Sequence, residues 1–182
     1  MPECLNRSQI AKIFSFVILI LTSLILLLKP TLKIVYPIKY EPEIHEISNR
    51  LGIDPYLVEG IISTESRFNH DALSHKGAKG LMQLRDNTKK WCMENLDVHP
   101  YDDDAVQNIS IGCTYFKYLL DKYDSNIATA LAAYNAGEGN VSKWLKAENS
   151  DDCSLSKIPF RETENYIEKV EVREKIYRFL YS

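Results

Sequence analysis

The chain has 182 residues, enough for one domain of ordinary size, and its 45% hydrophobic and 26% charged residues are a globular balance. A net charge of −3 argues against a nucleic-acid partner, which would favour a strongly basic patch. The four cysteines (Cys4, Cys92, Cys113, Cys153) form no CxxC pair, and the four histidines are scattered, so neither a metal site nor a cofactor is expected.

The first predicted element is apolar. Ile13 to Leu28 carries no charge, with Arg7 and Lys12 before it and Lys29 and Lys33 after it. Sixteen residues would cover only about 24 Å as a helix, and flanking lysines and Ala11 extend the span. Two readings compete. A signal peptide needs a small-residue cleavage site after its apolar run, but this run ends in LLLKPTLK, which favours an uncleaved anchor. A helix apolar on all sides suits the core of so small a domain poorly. Orientation is not set by charge, because Lys29, Lys33 and Lys39 match Arg7 and Lys12. The expected organisation is a short tail at 1–11, a transmembrane anchor or uncleaved signal at 12–29, an extended Pro-containing linker at 30–41, and a folded domain at 42–182.

That domain reads as all-helical. Pro42 to Leu51 is a short helix ended near Gly52. Asp54-Pro55 then supplies an N-cap and a first-turn proline for the next. Asn69 to Lys79 is polar and loop-like. Helices follow at Asp86 to Glu94 and from Asp102-Asp103-Asp104 to about Lys122, the aspartates serving as a cap and favourable dipole charge. Ser125 is expected to cap a helix through Ala133. Glu138 to Lys146 is another helix, Asn149 to Pro159 a loop, and Glu162 to Leu180 the closing helix. No segment alternates with period two beside a hairpin turn.

One carboxylate stands out. Val58, Ile61 and Ile62 share a helix face, and the next position on that face is Glu65. The helix C-terminus and an apolar surrounding both disfavour its charged form, which raises its pKa towards the value a general acid needs. The competing reading is a helix-end Glu that turns to solvent or pairs with Arg67.

The residues after Glu65 distinguish the two. ESRFNHDALSHKGAKGLMQL, Glu65 to Leu84, resembles the signature of the lytic transglycosylase catalytic domain of the soluble lytic transglycosylase (SLT) type. The matching positions are Glu65, Ser66, Phe68, Ser74, Gly77, Ala78, Gly80, Leu81, Met82 and Gln83. Three further motifs come in family order. They are NISIGCTYFKYLL (Asn108 to Leu120), ALAAYNAGEGNVSKW (Ala130 to Trp144) and IPFRETENYIEKV (Ile158 to Val170). Together they span roughly Ile44 to Tyr181.

The resemblance implies an all-α, lysozyme-like (goose-type-lysozyme-like) fold with a groove for a glycan strand. It implies non-hydrolytic cleavage of the MurNAc-β-1,4-GlcNAc bond of peptidoglycan to 1,6-anhydromuramoyl products. Because the substrate supplies its own nucleophile, Glu65 could act alone as acid and then base, where most glycosidases use two carboxyls. By motif position, Ser74 would contact the muramoyl N-acetyl or lactyl group, and Gln83 would line the groove. Tyr134 would point its hydroxyl at Glu65, Tyr166 would line the same site, and Asn135 would brace the turn at Tyr134. Without the motifs, such a Tyr reads as core and such a Ser as a turn residue. Glu162 reads as a helix N-terminal charge or packing partner.

Two features depart from the family pattern. Arg85 stands where a Met is frequent, which would add an electrostatic contact to an acidic peptide stem, and His70-Asp71 replaces the usual loop residues. The implied partners are the peptidoglycan glycan strand and, through the N-terminal helix, the membrane, with no nucleic acid and a monomer as the expected state. Peptidoglycan lies outside the cytoplasm, which would place the N-terminus inside and the domain on the cell-wall side. Cys92, Cys113 and Cys153 would then be outside, with no pairing assigned. Two alternatives stay open, a lysozyme-like muramidase that admits water and a non-catalytic peptidoglycan-binding protein of a wall-spanning assembly.

Overall fold

The computed structural model describes residues 6–148 and 153–182. These separate into two compact units, one up to Pro37 and one spanning Ile38–Ser182.

The first unit is a single helix, α1 (Arg7–Val35). Asn6 and Gln9 form a capping box, each side chain accepting from the other's backbone N–H at 2.9 and 3.0 Å. The helix has 29 residues and so runs about 43 Å, longer than the apolar run alone suggests. It is long and apolar enough to cross a membrane, and its hydrophobic window is not buried in protein. The expected linker is corrected in its first half. The helix continues through Pro30 to Val35, and Thr31 Oγ1 donates to the Leu27 carbonyl at 2.7 Å one turn back. A proline inside a helix removes one backbone bond, a loss that long apolar helices accommodate by local adjustment and Ser/Thr side-chain bonds.

The second unit contains α2 (Glu41–Leu51), α3 (Pro55–Ser66), α4 (Asp86–Asn95), α5 (Asp104–Lys122), α6 (Ile127–Ala136), α7 (Glu138–Glu148) and α8 (Arg161–Tyr181). No strand longer than an isolated bridge occurs among the described residues. α3 is the central helix. It packs along α8 and against α2, while α5 carries α2, α4 and α6, and α6 also meets α7 and α8. Leu57, Val58, Ile61 and Ile62 of α3 are buried with Ile44, Ile47, Phe116, Leu119 and Val170, each such side chain contributing about 1.5–3 kcal/mol of transfer free energy. α3 comes so close to α8 that a Cβ on Gly60 would meet the Val170 carbonyl oxygen at 2.8 Å.

The caps explain the element starts. Asp54 accepts from Tyr56 N–H at 3.0 Å, and Asp103 accepts from Ala105 and Val106 N–H at 2.9 Å, so the Asp run is a cap as expected. The expected cap at Ser125 is corrected. Asn126 caps α6, accepting from Thr129 N–H at 3.0 Å, because Asp124 and Ser125 occupy left-handed conformations (φ 52 and 63) and an N-cap needs extended backbone. Part of the predicted loop at 149–159 and the cysteine at position 4 lie outside the described residues.

Candidate active site

Glu65 sits in the last turn of α3. The chain leaves that turn through two successive left-handed residues, Arg67 (φ 52) and Phe68 (φ 59). Phe68 is buried against Tyr177 of α8, with ring centroids 5.8 Å apart, and this anchor offsets the backbone strain. The helix end carrying Glu65 is therefore held by tertiary packing.

The loop after α3 folds back through two isolated antiparallel bridges, Leu73 with Lys79 and Lys79 with Leu84. Ser74 organises its tip. Its Oγ accepts from Ala78 N–H at 2.9 Å, which leaves the hydroxyl proton available to a ligand. Gly80 needs its glycine twice over: φ is +79, and a Cβ would lie 2.5 Å from the Asn108 amide nitrogen. Asn108 of α5 accepts from Met82 N–H at 2.9 Å and donates to the Lys79 carbonyl at 3.2 Å, clamping the loop. Gln83 (φ 47) donates through Nε2 to the carbonyls of Ala72 at 3.0 Å and Gly80 at 2.9 Å. Its Oε1 is what remains for a ligand.

These pieces enclose an open cleft of about 360 Å³. Glu65, Ser74, Gln83, Tyr134 and Asn135 all line it, so five of the six residues proposed from sequence are brought to one wall-to-wall space. Tyr166, the sixth, is buried and off the cleft surface. Asn135 Oδ1 accepts from Thr163 Oγ1 at 2.9 Å, which ties α6 to α8 beyond bracing its own turn.

Burial raises the Glu65 carboxyl from 4.5 to about 7, against a smaller lowering by the Tyr166 hydroxyl. Tyr166 Oη is buried near that carboxyl, yet among the described residues it has no hydrogen bond of ordinary length and angle. The Tyr134 hydroxyl donates to the Met82 carbonyl at 2.8 Å, so its proton is committed to the loop, while both Tyr134 and Tyr166 feel the charge of Glu65. Ile61 and Ile62 are fully buried in the core and do not line the cleft. The aromatic wall of the cleft is Tyr115 and Tyr134, with centroids 5.6 Å apart.

Sequence reading gave no site role to Tyr115, Thr88, His75 or Lys76, all of which line the cleft. Tyr115 was visible inside the Asn108 to Leu120 motif. Glu162 also lines the cleft. It is an exposed first-turn residue of α8 whose carboxylate lies 4.0 Å from Lys76 Nζ, so it acts as a helix N-terminal charge and not as a packing partner. Among the described residues, no group of His, Cys, Asp or Glu is placed to hold a metal ion.

Residues 42–156 match the model of the transglycosylase SLT domain. The chain belongs to the transglycosylase SLT domain family. This SLT domain chain is 30% identical over 152 residues to the soluble lytic murein transglycosylase of Escherichia coli strain K12, covering 79% of this chain and 24% of that protein. It is 31% identical over 171 residues to the membrane-bound lytic murein transglycosylase C of Histophilus somni, covering 78% of this chain and 47% of that protein. The SLT domain chain thus spans a quarter to a half of the length of these relatives. Its fold matches the 70 kDa soluble lytic transglycosylase of E. coli with a TM-score of 0.71 and 27% identity, over 81% of this chain and 25% of that one. It also matches an inactive Glu-to-Gln mutant of a Pseudomonas aeruginosa lytic transglycosylase, with a TM-score of 0.70 and 28% identity over 82% and 25%. The all-α, lysozyme-like architecture expected from sequence is the architecture found.

Proposed function

We propose that this chain is a membrane-anchored peptidoglycan lytic transglycosylase in which Glu65 is the single catalytic acid and base. The observation that carries this reading is the Glu65 carboxyl itself, on the wall of a glycan-sized cleft and raised to about 7 by burial. Near neutral pH a large fraction of it holds a proton. That proton goes to the glycosidic oxygen as the bond from the muramoyl anomeric carbon breaks. The Tyr166 hydroxyl favours the carboxylate this leaves. The carboxylate then takes the proton of the muramoyl 6-hydroxyl, whose oxygen attacks the anomeric carbon and closes the 1,6-anhydro ring. Glu65 is returned protonated, and no water is consumed. The other carboxylate on the cleft wall, Glu162, is exposed and faces Lys76, a setting unlike that of a buried nucleophile.

Ser74, Gln83, Tyr134 and Asn135 are the proposed glycan contacts, with Tyr166 acting on the carboxyl. The soluble and membrane-bound relatives are both named lytic murein transglycosylases, which supports the reaction class. The long apolar α1 and the membrane-bound relatives support the anchor. The functional division then has residues 12–29 within the anchor and 42–182 as the catalytic domain. A peptidoglycan substrate requires the N-terminus inside and the domain on the cell-wall side.

The test is a digest of purified peptidoglycan by the full-length protein in detergent, with products resolved by mass. Anhydromuramoyl products that disappear in Glu65→Gln are expected. Products that all carry an added water would instead make the protein a muramidase, and unchanged lysis by Glu65→Gln would leave it a binding protein.

A further inference from the structure

The cleft wall carries positive charge that the reaction does not use. Lys76 and Arg85 both line it, in a chain of net charge −3. The two cations have different partners. Lys76 faces Glu162 at 4.0 Å. Asp86, next to Arg85 in sequence, is engaged by Lys79 Nζ at 2.9 and 3.0 Å. Arg85 itself enters no ion pair or side-chain hydrogen bond among the described residues, and it is exposed at the start of α4. It is a cation on the groove wall with its guanidinium uncommitted.

Resting on the peptidoglycan reading above, we infer that Arg85 determines specificity by binding a carboxylate of the peptide stem, so that the chain prefers acidic, stem-bearing strands. In a strand whose lactyl carboxyls are all in amide linkage, the two sugars are uncharged. Its negative charges then belong to the stems. The stem leaves the muramoyl unit through the lactyl group, one of the two substituents expected at Ser74, and Ser74 shares the cleft with Arg85. A planar guanidinium matches a carboxylate through two parallel N–H bonds, which Lys or Met at this position would not reproduce.

The experiment compares two preparations of the same strands, one with free stem carboxylates and one with those carboxylates converted to carboxamides. Full-length wild type, Arg85→Met and Arg85→Lys are assayed on both. The wild-type KM is expected to be about fivefold lower on the free-carboxylate strands, the upper end for one exposed ion pair. In Arg85→Met the ratio of the two KM values falls to near one while kcat on the free-carboxylate strands holds, and Arg85→Lys recovers part of the ratio. A KM ratio near one in the wild type, or a ratio that Arg85→Met leaves unchanged, overturns the inference. Binding of both preparations to the Glu65→Gln protein separates this from the reaction itself. Discrimination there, with no anhydro product from the wild type, would sink the proposed chemistry and leave the role of Arg85 standing.

Discussion

At the scale of single residues, two tyrosines near one carboxyl have different duties. Tyr166 lowers the Glu65 pKa, so removing its hydroxyl leaves burial unopposed and raises that pKa beyond its present value of about 7. The first proton transfer needs the protonated acid, so activity falls as pH rises through the Glu65 pKa. In Tyr166→Phe the alkaline limb of the pH profile of kcat/KM should move to higher pH, and the maximal rate should fall because the carboxylate intermediate loses its donor. An alkaline limb that stays in place would show that Tyr166 does not act on Glu65. Tyr134→Phe should behave differently. It leaves the Met82 carbonyl without its side-chain donor, which costs about 1–2 kcal/mol of stability at a buried acceptor. Urea unfolding should register that loss, while the alkaline limb keeps its position.

At the scale of elements, the site depends on how closely α3 lies on α8. Leu57 through Ser63 are buried without a break, so α3 is enclosed on all sides and has no solvent face over that stretch. Gly60 permits the approach, since backbone atoms of Val170 and Glu174 lie 2.8 and 3.1 Å from where a Cβ would stand. Backbone cannot swing aside as a side chain can. Gly60→Ala should therefore destabilise by about 1–3 kcal/mol, the usual cost of overpacking a tight core, despite its better helix propensity. Thermal unfolding measures it, and a rise in Tm would refute the close-packing argument. The same contact supports Glu65, five residues on, through Tyr177, whose hydroxyl donates to Ser63 Oγ at 2.9 Å and whose ring holds Phe68.

At the scale of the whole molecule, a second buried carboxyl makes stability depend on pH. Glu59 is fully buried on α3, 3.0 Å from His45 Nε2 of α2, and its Oε2 has no hydrogen-bond partner among the described residues. Burial raises its pKa from 4.5 to about 7, opposed by His45 and reinforced by Glu41 and Asp54. With the folded pKa above the unfolded one, the native state holds more protons across that interval. Stability is then fully present below about pH 4.5 and is lost as pH rises towards 7. Glu65 adds a slope of the same sign. Denaturant midpoints should fall between about pH 5 and pH 8 in the wild type, and fall less in Glu59→Gln. Parallel slopes in the two proteins would contradict the assignment.

The sequence by itself determined the helical class, the caps at Asp54 and within the Asp102–Asp104 run, the loop bearing Ser74, and Glu65 as the carboxyl of interest. Each of these is written in local chemistry: a period of 3.6, a short polar side chain before a helix, glycines at forced turns, or an ordered set of motifs. Only the tertiary structure showed that Tyr134 donates to the loop carbonyl of Met82 and that Tyr166 lies near Glu65 as well, because the two tyrosines stand on different helices. Glu59 was illegible for a related reason. Looking for one apolar face on α3 identifies Glu65 as the intruder and passes over a carboxylate on another face, since nothing local says that α8 and α2 enclose the helix all round. Pro30 shows the same limit from the other side: a local helix-breaking signal is overridden within a long apolar helix. What stays local can be read from the chain, whereas burial, and every pKa that depends on it, is fixed by neighbours that are distant in sequence.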